Sequence, residues 1–182
     1  MASKGLAVER KAGQRWEERG RKTLRYFACR EHKGLFVETE SKGAARLDGL
    51  IIKPRLMQPV AVLALVPEPY VIAAVLEAKT RSESHERLKE YDNGRGYMIS
   101  NEKVEALSLA AKYFGCPGEL YVEFMGCGTV GRFRVANEDG KLFEWETEPR
   151  KTQDTNEGGK KCDLVAFLGW AKMEVLREGG QK

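Results

Sequence analysis

Hydrophobic positions fall in short blocks along a chain otherwise dense in charge, and their spacing predicts the elements. Over the first thirty residues Trp16, Leu24, Phe27 and a few alanines interrupt a run of Arg, Lys and Glu, which reads as a helix. Gly13 and Gly20 mark places where that helix can bend or divide. A first strand is expected over 34–39, a turn at Glu40-Ser41-Lys42-Gly43, and a second strand over 47–53 stopped by Pro54. Residues 60–66 are apolar and framed by Pro59 and Pro67-Glu68-Pro69, as an extra strand or an interface element. The run 70–79 reads as the third main strand.

A charged, turn-prone stretch follows over 80–96, with a short helix expected at 84–91. A clearer helix opens at Ser100, with Lys103 at the position where a capping box has Glu. Val104, Leu107, Ala111 and Phe114 recur at helical spacing, and Gly115 and Pro117 end the element. A strand is predicted over 119–125, then a hairpin of 132–135 with 142–146 around Glu138-Asp139-Gly140. Residues 149–161 are polar, rich in Gly and Lys, and read as a mobile segment; 164–176 are apolar and fit either strand or helix. The order is helix, three strands, helix, strand, β-rich tail: a mixed α/β (α+β) sandwich around a short sheet.

With 182 residues, 42% hydrophobic and 32% charged, one soluble globular domain over 1–182 is expected. No apolar run approaches the roughly 20 residues that span a bilayer, and Met1-Ala2-Ser3-Lys4-Gly5 lacks the apolar core of a secretory signal, so no membrane association is expected. Cys29, Cys116, Cys127 and Cys162 form no C-x-x-C pair and read as reduced thiols in a cytoplasmic setting, without an iron–sulfur cluster. A net charge of +4 and a pI of about 8.8 permit an anionic partner without requiring one. Arg10, Lys11, Arg15, Arg19, Arg21, Lys22 and Arg25 make the first helix locally basic, as a solvated face or as phosphate contacts.

The charges inside the strands change the picture. Glu77 and Lys79 are two apart on one strand and project to the same face. Asp48 lies on the preceding core strand and can come beside Glu77. Two carboxylates converging within about 4–5 Å repel unless a proton or cation joins them. An oxygen-only site suits Mg²⁺ or Mn²⁺, with the Ala78 carbonyl as a further ligand. Lys79 beside the metal can orient or help deprotonate a water, or stabilise phosphate charge. Other chemistries find no pattern: neither histidine lies in a nucleophile-elbow or papain-like context, no Gly-x-x-x-x-Gly-Lys loop is present, and Gly126-Cys127-Gly128 opens no helix. His32 and His85 read as exposed polar residues.

Asp48 on the second strand and Glu77-Ala78-Lys79 on the third, in this element order, resemble the PD-(D/E)XK nuclease superfamily with its restriction-endonuclease-like α-β-β-β-α-β core. The resemblance covers about residues 10–125, with 126–182 as a β-rich extension; Leu47 stands where the name-giving motif has Pro. It implies a Mg²⁺- or Mn²⁺-dependent deoxyribonuclease. Asp48, Glu77 and the Ala78 carbonyl would hold metal, Lys79 would position the attacking water, and a first-helix Glu would complete the site. Glu17 is the choice for that helix, with Glu18 and Glu9 as rivals. Arg15, Arg19, Lys42, Arg46, Arg81 and Lys103 would contact DNA. Structure-directed cutting is one version, Holliday-junction-resolvase-like, as a homodimer joined through 60–66. Tyr91, Arg95 and Tyr97 can stack on or grip nucleic acid, and Arg150, Lys151, Lys160 and Lys161 can close over a strand. The rivals are a non-catalytic nucleic-acid-binding or assembly module on the same fold, and an adaptor whose acids form ordinary salt bridges.

Overall fold

The basic N-terminal pattern forms one helix, α1 (Ser3–His32), uninterrupted at Gly13 and Gly20. The computed structural model describes residues 3–39, 47–54, 70–143, 146–153 and 160–179, with side chains for 18–39, 47–54, 70–91, 93–143, 146–150 and 163–179. The expected bend at Gly20 is therefore replaced by close packing. A Cβ at Gly20 would stand 1.9 Å from Thr80 Cγ2 and 3.1 Å from Glu123 Oε2, so glycine lets the helix lie against the sheet. Gly20→Ala should lower stability by about 1–3 kcal/mol through overpacking, despite the better helix propensity of alanine. A denaturation midpoint at or above that of the parent would show that the helix shifts freely.

After α1 the chain runs through β1 (Leu35–Glu38), β2 (Gly49–Pro54) and β3 (Tyr70–Arg81). It continues through α2 (His85–Glu90), a 3₁₀ turn at Tyr91–Gly94, β4 (Tyr97–Ser100), α3 (Asn101–Phe114), β5 (Gly118–Phe124) and β6 (Thr129–Ala136). β7 (Glu146–Gln153), β8 (Lys160–Leu168), a 3₁₀ turn at Trp170–Lys172 and β9 (Met173–Arg177) complete it. The larger sheet has the order β1-β2-β3-β5-β6-β9. β3 and β5 are parallel and joined through α3, while the other neighbouring strands are antiparallel. The smaller sheet is β4-β8-β7, antiparallel throughout. The molecule is a mixed α+β fold.

The alternation of β3 sends its side chains to two cores. Ala74 and Leu76 meet Leu24, Phe27 and Ala28 of α1, together with Ile51 and Tyr121. Val75 joins Leu120 and Val122 under Val104, Leu107 and Ala111 of α3, three residues of the stripe read from helical spacing; the fourth, Phe114, is exposed. Burying each such large apolar side chain contributes about 1.5–3 kcal/mol before entropy is counted. Tyr97, Ile99, Ala166 and Leu168 of the smaller sheet enter this second core, so both sheets share it. Gly115 closes α3 in the left-handed conformation (φ 63°), its N–H donating to the Ala111 carbonyl.

Two tail expectations are corrected and a third is decided between its alternatives. Among the described residues the hairpin of 132–135 with 142–146 is reduced to a bridge between Ala136 and Leu142 and a Phe143 N–H bond to the Val135 carbonyl, while β6 pairs with β5 and β9. The segment expected to be mobile contributes Pro149–Gln153 to β7 and Lys160–Lys161 to β8, paired in register. The ambiguous 164–176 run is strand, 3₁₀ turn and strand. Arg95 explains part of the new pairing. Its guanidinium lies over the Phe167 ring at 4.2 Å and donates to Glu146 and Glu148 at 2.8 and 2.6 Å. The residues after 125 are thus built into both sheets. The apolar run 60–66 lies outside the described residues.

Candidate active site

The site forms where β2 begins beside the middle of β3. Gly49 pairs with Leu76, and the Asp48 N–H donates to the Leu76 carbonyl at 3.0 Å. The Asp48 side chain then accepts from the Ala78 N–H through Oδ2 at 2.7 Å. Asp48 therefore grips the strand on both sides of Glu77. The N–H and C=O of one strand residue point to the same edge, so the Ala78 carbonyl faces Asp48 too.

Glu77 is a charged group in a core strand, 1% exposed, rather than a solvated strand end. It projects to the α3 side, as Val75 does. Two ammonium groups compensate it: Lys79 Nζ is 2.7 Å from Oε1, and Lys103 Nζ donates to Oε2 at 3.1 Å. The Lys79 contact is an ion pair without hydrogen-bond alignment, so Oε1 is a buried oxygen with no hydrogen-bond partner. Such an atom is costly unless something else coordinates it. Asp48, Glu77 and Ala78 line one small cleft with Arg21, Arg25 and Phe36 at its α1 side.

Three oxygens here would serve a hard cation: Asp48 Oδ1, the Ala78 carbonyl and Glu77 Oε1, the last in an ion pair with Lys79. All three donors are oxygens, which fits Mg²⁺ or Mn²⁺. A cation there would compete with Lys79 for Oε1.

The other residues singled out from the sequence divide. Arg19 is exposed on α1 and lines a separate groove. Arg81, at the end of β3, lies over the Tyr97 ring at 5.2 Å and donates to the Met98 carbonyl at 3.5 Å. Lys103 belongs to the Glu77 pair. Arg15 and Glu17 lie on α1 with side chains outside the described set, and Lys42 and Arg46 lie outside the described residues. Tyr97 is in the core at 2% exposure, while Tyr91 is exposed.

Both histidines depart from the exposed reading. His32 Nε2 is 2.7 Å from the buried Glu119. His85 is half-buried against the Phe124 ring, and desolvation, opposed by Glu86, pushes its imidazole below the ordinary value. Sequence reasoning also missed the partnership of Lys103 with Glu77. Its only signal was a lysine where a capping box has glutamate. Comparison of the chain with protein-family models, with curated proteins and with solved structures finds no match.

Proposed function

We propose that the chain is a metal-dependent phosphodiesterase of the restriction-endonuclease-like class. Within that class, the reading is a deoxyribonuclease that cuts DNA internally, guided by structure or weakly by sequence. The observation that carries it is Asp48 bracketing Glu77 at the β2–β3 junction, with Lys79 two residues on and a buried Glu77 oxygen lacking a hydrogen-bond partner. The element order supports it as well: a helix, three antiparallel strands, and a crossover helix leading to a strand parallel to the third.

Asp48, Glu77 and the Ala78 carbonyl would hold Mg²⁺ or Mn²⁺. Such an ion, when bound, lowers the pKa of a bound water and screens phosphate charge. Lys79, released from Glu77, has an ammonium with which to orient the attacking water or meet the scissile phosphate. Arg21 and Arg25 at the cleft would draw in the DNA backbone. The homodimer implied by a junction substrate belongs to the same proposal.

One observation favours a second reading, a non-catalytic nucleic-acid-binding module: Glu77 already faces two ammonium groups without a cation. A cleavage panel separates the two. Labelled four-way junction, flap, duplex and single-stranded DNA are incubated with Mg²⁺, Mn²⁺ or EDTA. Cutting that needs the metal supports the nuclease; DNA binding with every substrate intact supports the module.

Metal binding is checked separately by thermal denaturation. At about one hundred times its Kd, Mg²⁺ stabilises by about 2.7 kcal/mol, which raises the midpoint by about 5–10 °C for a domain of this size. Asp48→Asn should abolish the shift, because the amide oxygen still accepts the Ala78 N–H but the negative charge is gone. An undiminished shift in that variant puts the metal elsewhere.

A further inference from the structure

We propose a second metal site, for Zn²⁺, built by His85 and Glu86 at the start of α2 and Cys127 in the β5–β6 turn. Glu86 Oε1 lies 3.0 Å and Cys127 Sγ 3.7 Å from the same atom, His85 Nδ1. The three donor atoms lie within 4.8 Å of one another. A tetrahedral zinc with bonds of about 2.0–2.1 Å to nitrogen and oxygen and about 2.3 Å to sulfur spaces its ligand atoms by about 3.3–3.6 Å. The two separations from Nδ1 lie on either side of that range.

The convergence on one nitrogen decides between two chemistries. A nucleophilic cysteine relay needs the thiol on one ring nitrogen of the histidine and the orienting carboxylate on the other. Here both contact Nδ1, which defeats a relay but keeps the three donor atoms close enough to share one cation. The donor set of imidazole, thiolate and carboxylate is that of a borderline-soft ion, unlike the oxygen-only cleft at Asp48 and Glu77.

The backbone brings the donors together. Gly126 passes so close to the β3–α2 connection that a Cβ would stand 2.7 Å from Ser84 N and 2.8 Å from Ser82 O. That approach sets Cys127 beside His85, whose ring is steadied against Phe124. Glu86 and Cys127 also line a groove with Arg19, Glu123, Thr129 and Gly179, which shares no residue with the Asp48 cleft. Three protein ligands would leave a fourth position for water, the arrangement of an open zinc site.

The test uses the full chain stripped of metal with a chelator, and Co²⁺ as a spectroscopic stand-in for Zn²⁺. One equivalent of Co²⁺ should give tetrahedral visible bands and a thiolate-to-cobalt charge-transfer band, and Zn²⁺ should displace it. Cys127→Ser, which keeps a small polar group beside Thr129, should remove the charge-transfer band and weaken Zn²⁺ at least about ten-fold. Glu86→Gln, at an exposed position that leaves the fold intact, should weaken Zn²⁺ by several-fold, and Asp48→Asn should leave it unchanged. Absence of the charge-transfer band in the parent, or its persistence in folded Cys127→Ser, overturns the proposal. So does unaltered Zn²⁺ affinity in both Cys127→Ser and Glu86→Gln.

Discussion

Lys79→Ala should reduce metal-dependent DNA cutting by about 10²–10⁴-fold, the range carried by a positioned group that handles a proton or developing charge. Its effect on stability should be small. The Lys79 side chain is 36% exposed, and Lys103 remains on the other oxygen of Glu77 to balance the buried carboxylate. DNA affinity should change by less than about three-fold, because one ammonium among many basic groups contributes little to phosphate binding. Lys103→Ala provides the contrast. Lys103 comes from the first turn of α3 and is only 20% exposed, so its removal should cost stability first and cutting less. Equal cutting by Lys79→Ala and the parent would remove Lys79 from the mechanism. A larger loss in Lys103→Ala than in Lys79→Ala would give the catalytic role to the α3 lysine.

That contrast marks where the sequence was legible and where it was not. The run 70–79 announced a core strand, and Glu77 with Lys79 on one face followed from its period of two. The helical stripe of Val104, Leu107 and Ala111 gave α3 for the same reason: a single element carries its own periodicity. Lys103 could not be assigned that way. Its partner lies 26 residues back on another element, and only the packing of α3 over β3 brings them together. The smaller sheet was hidden similarly. β7 is polar, and its partner β8 was split between a segment read as mobile and one read as ambiguous. The pairing of Arg150 with Asp163 or Thr152 with Lys161 leaves no local trace. On β5 the alternation of Glu119, Tyr121 and Glu123 imitates a solvent-facing edge. All three are buried, because basic groups from other elements cover them: Arg177 donates to Glu123 at 3.0 Å, and His32 meets Glu119.

The covered Glu119 carries the largest stability effect expected in the chain. It is 3% exposed and serves three elements at once. His32 at the end of α1 contacts Oε2 at 2.7 Å, the Tyr121 hydroxyl donates to the same oxygen at 3.0 Å, and Arg132 of β6 lies 3.7 Å from Oε1. Arg132 in turn donates to Glu174, which extends the network to β9. Burial, and then the Glu119 charge, push the Tyr121 phenol above its ordinary value, so it stays protonated as a donor. Glu119→Ala removes the acceptor of the buried Tyr121 hydroxyl and leaves Arg132 with Glu174 but without its buried carboxylate. Breaking a buried charge network from one side costs about 3–5 kcal/mol, which for a domain of this size lowers the thermal midpoint by about 6–20 °C. Glu119→Gln keeps an acceptor for Tyr121 while losing the charge, and should cost less than half as much. The ordering matters more than either value. An alanine variant as stable as the glutamine variant would mean that water replaces the carboxylate, and that α1 is held to the sheet without it, by the packing of Leu24, Phe27 and Ala28 and the Arg25–Glu38 pair.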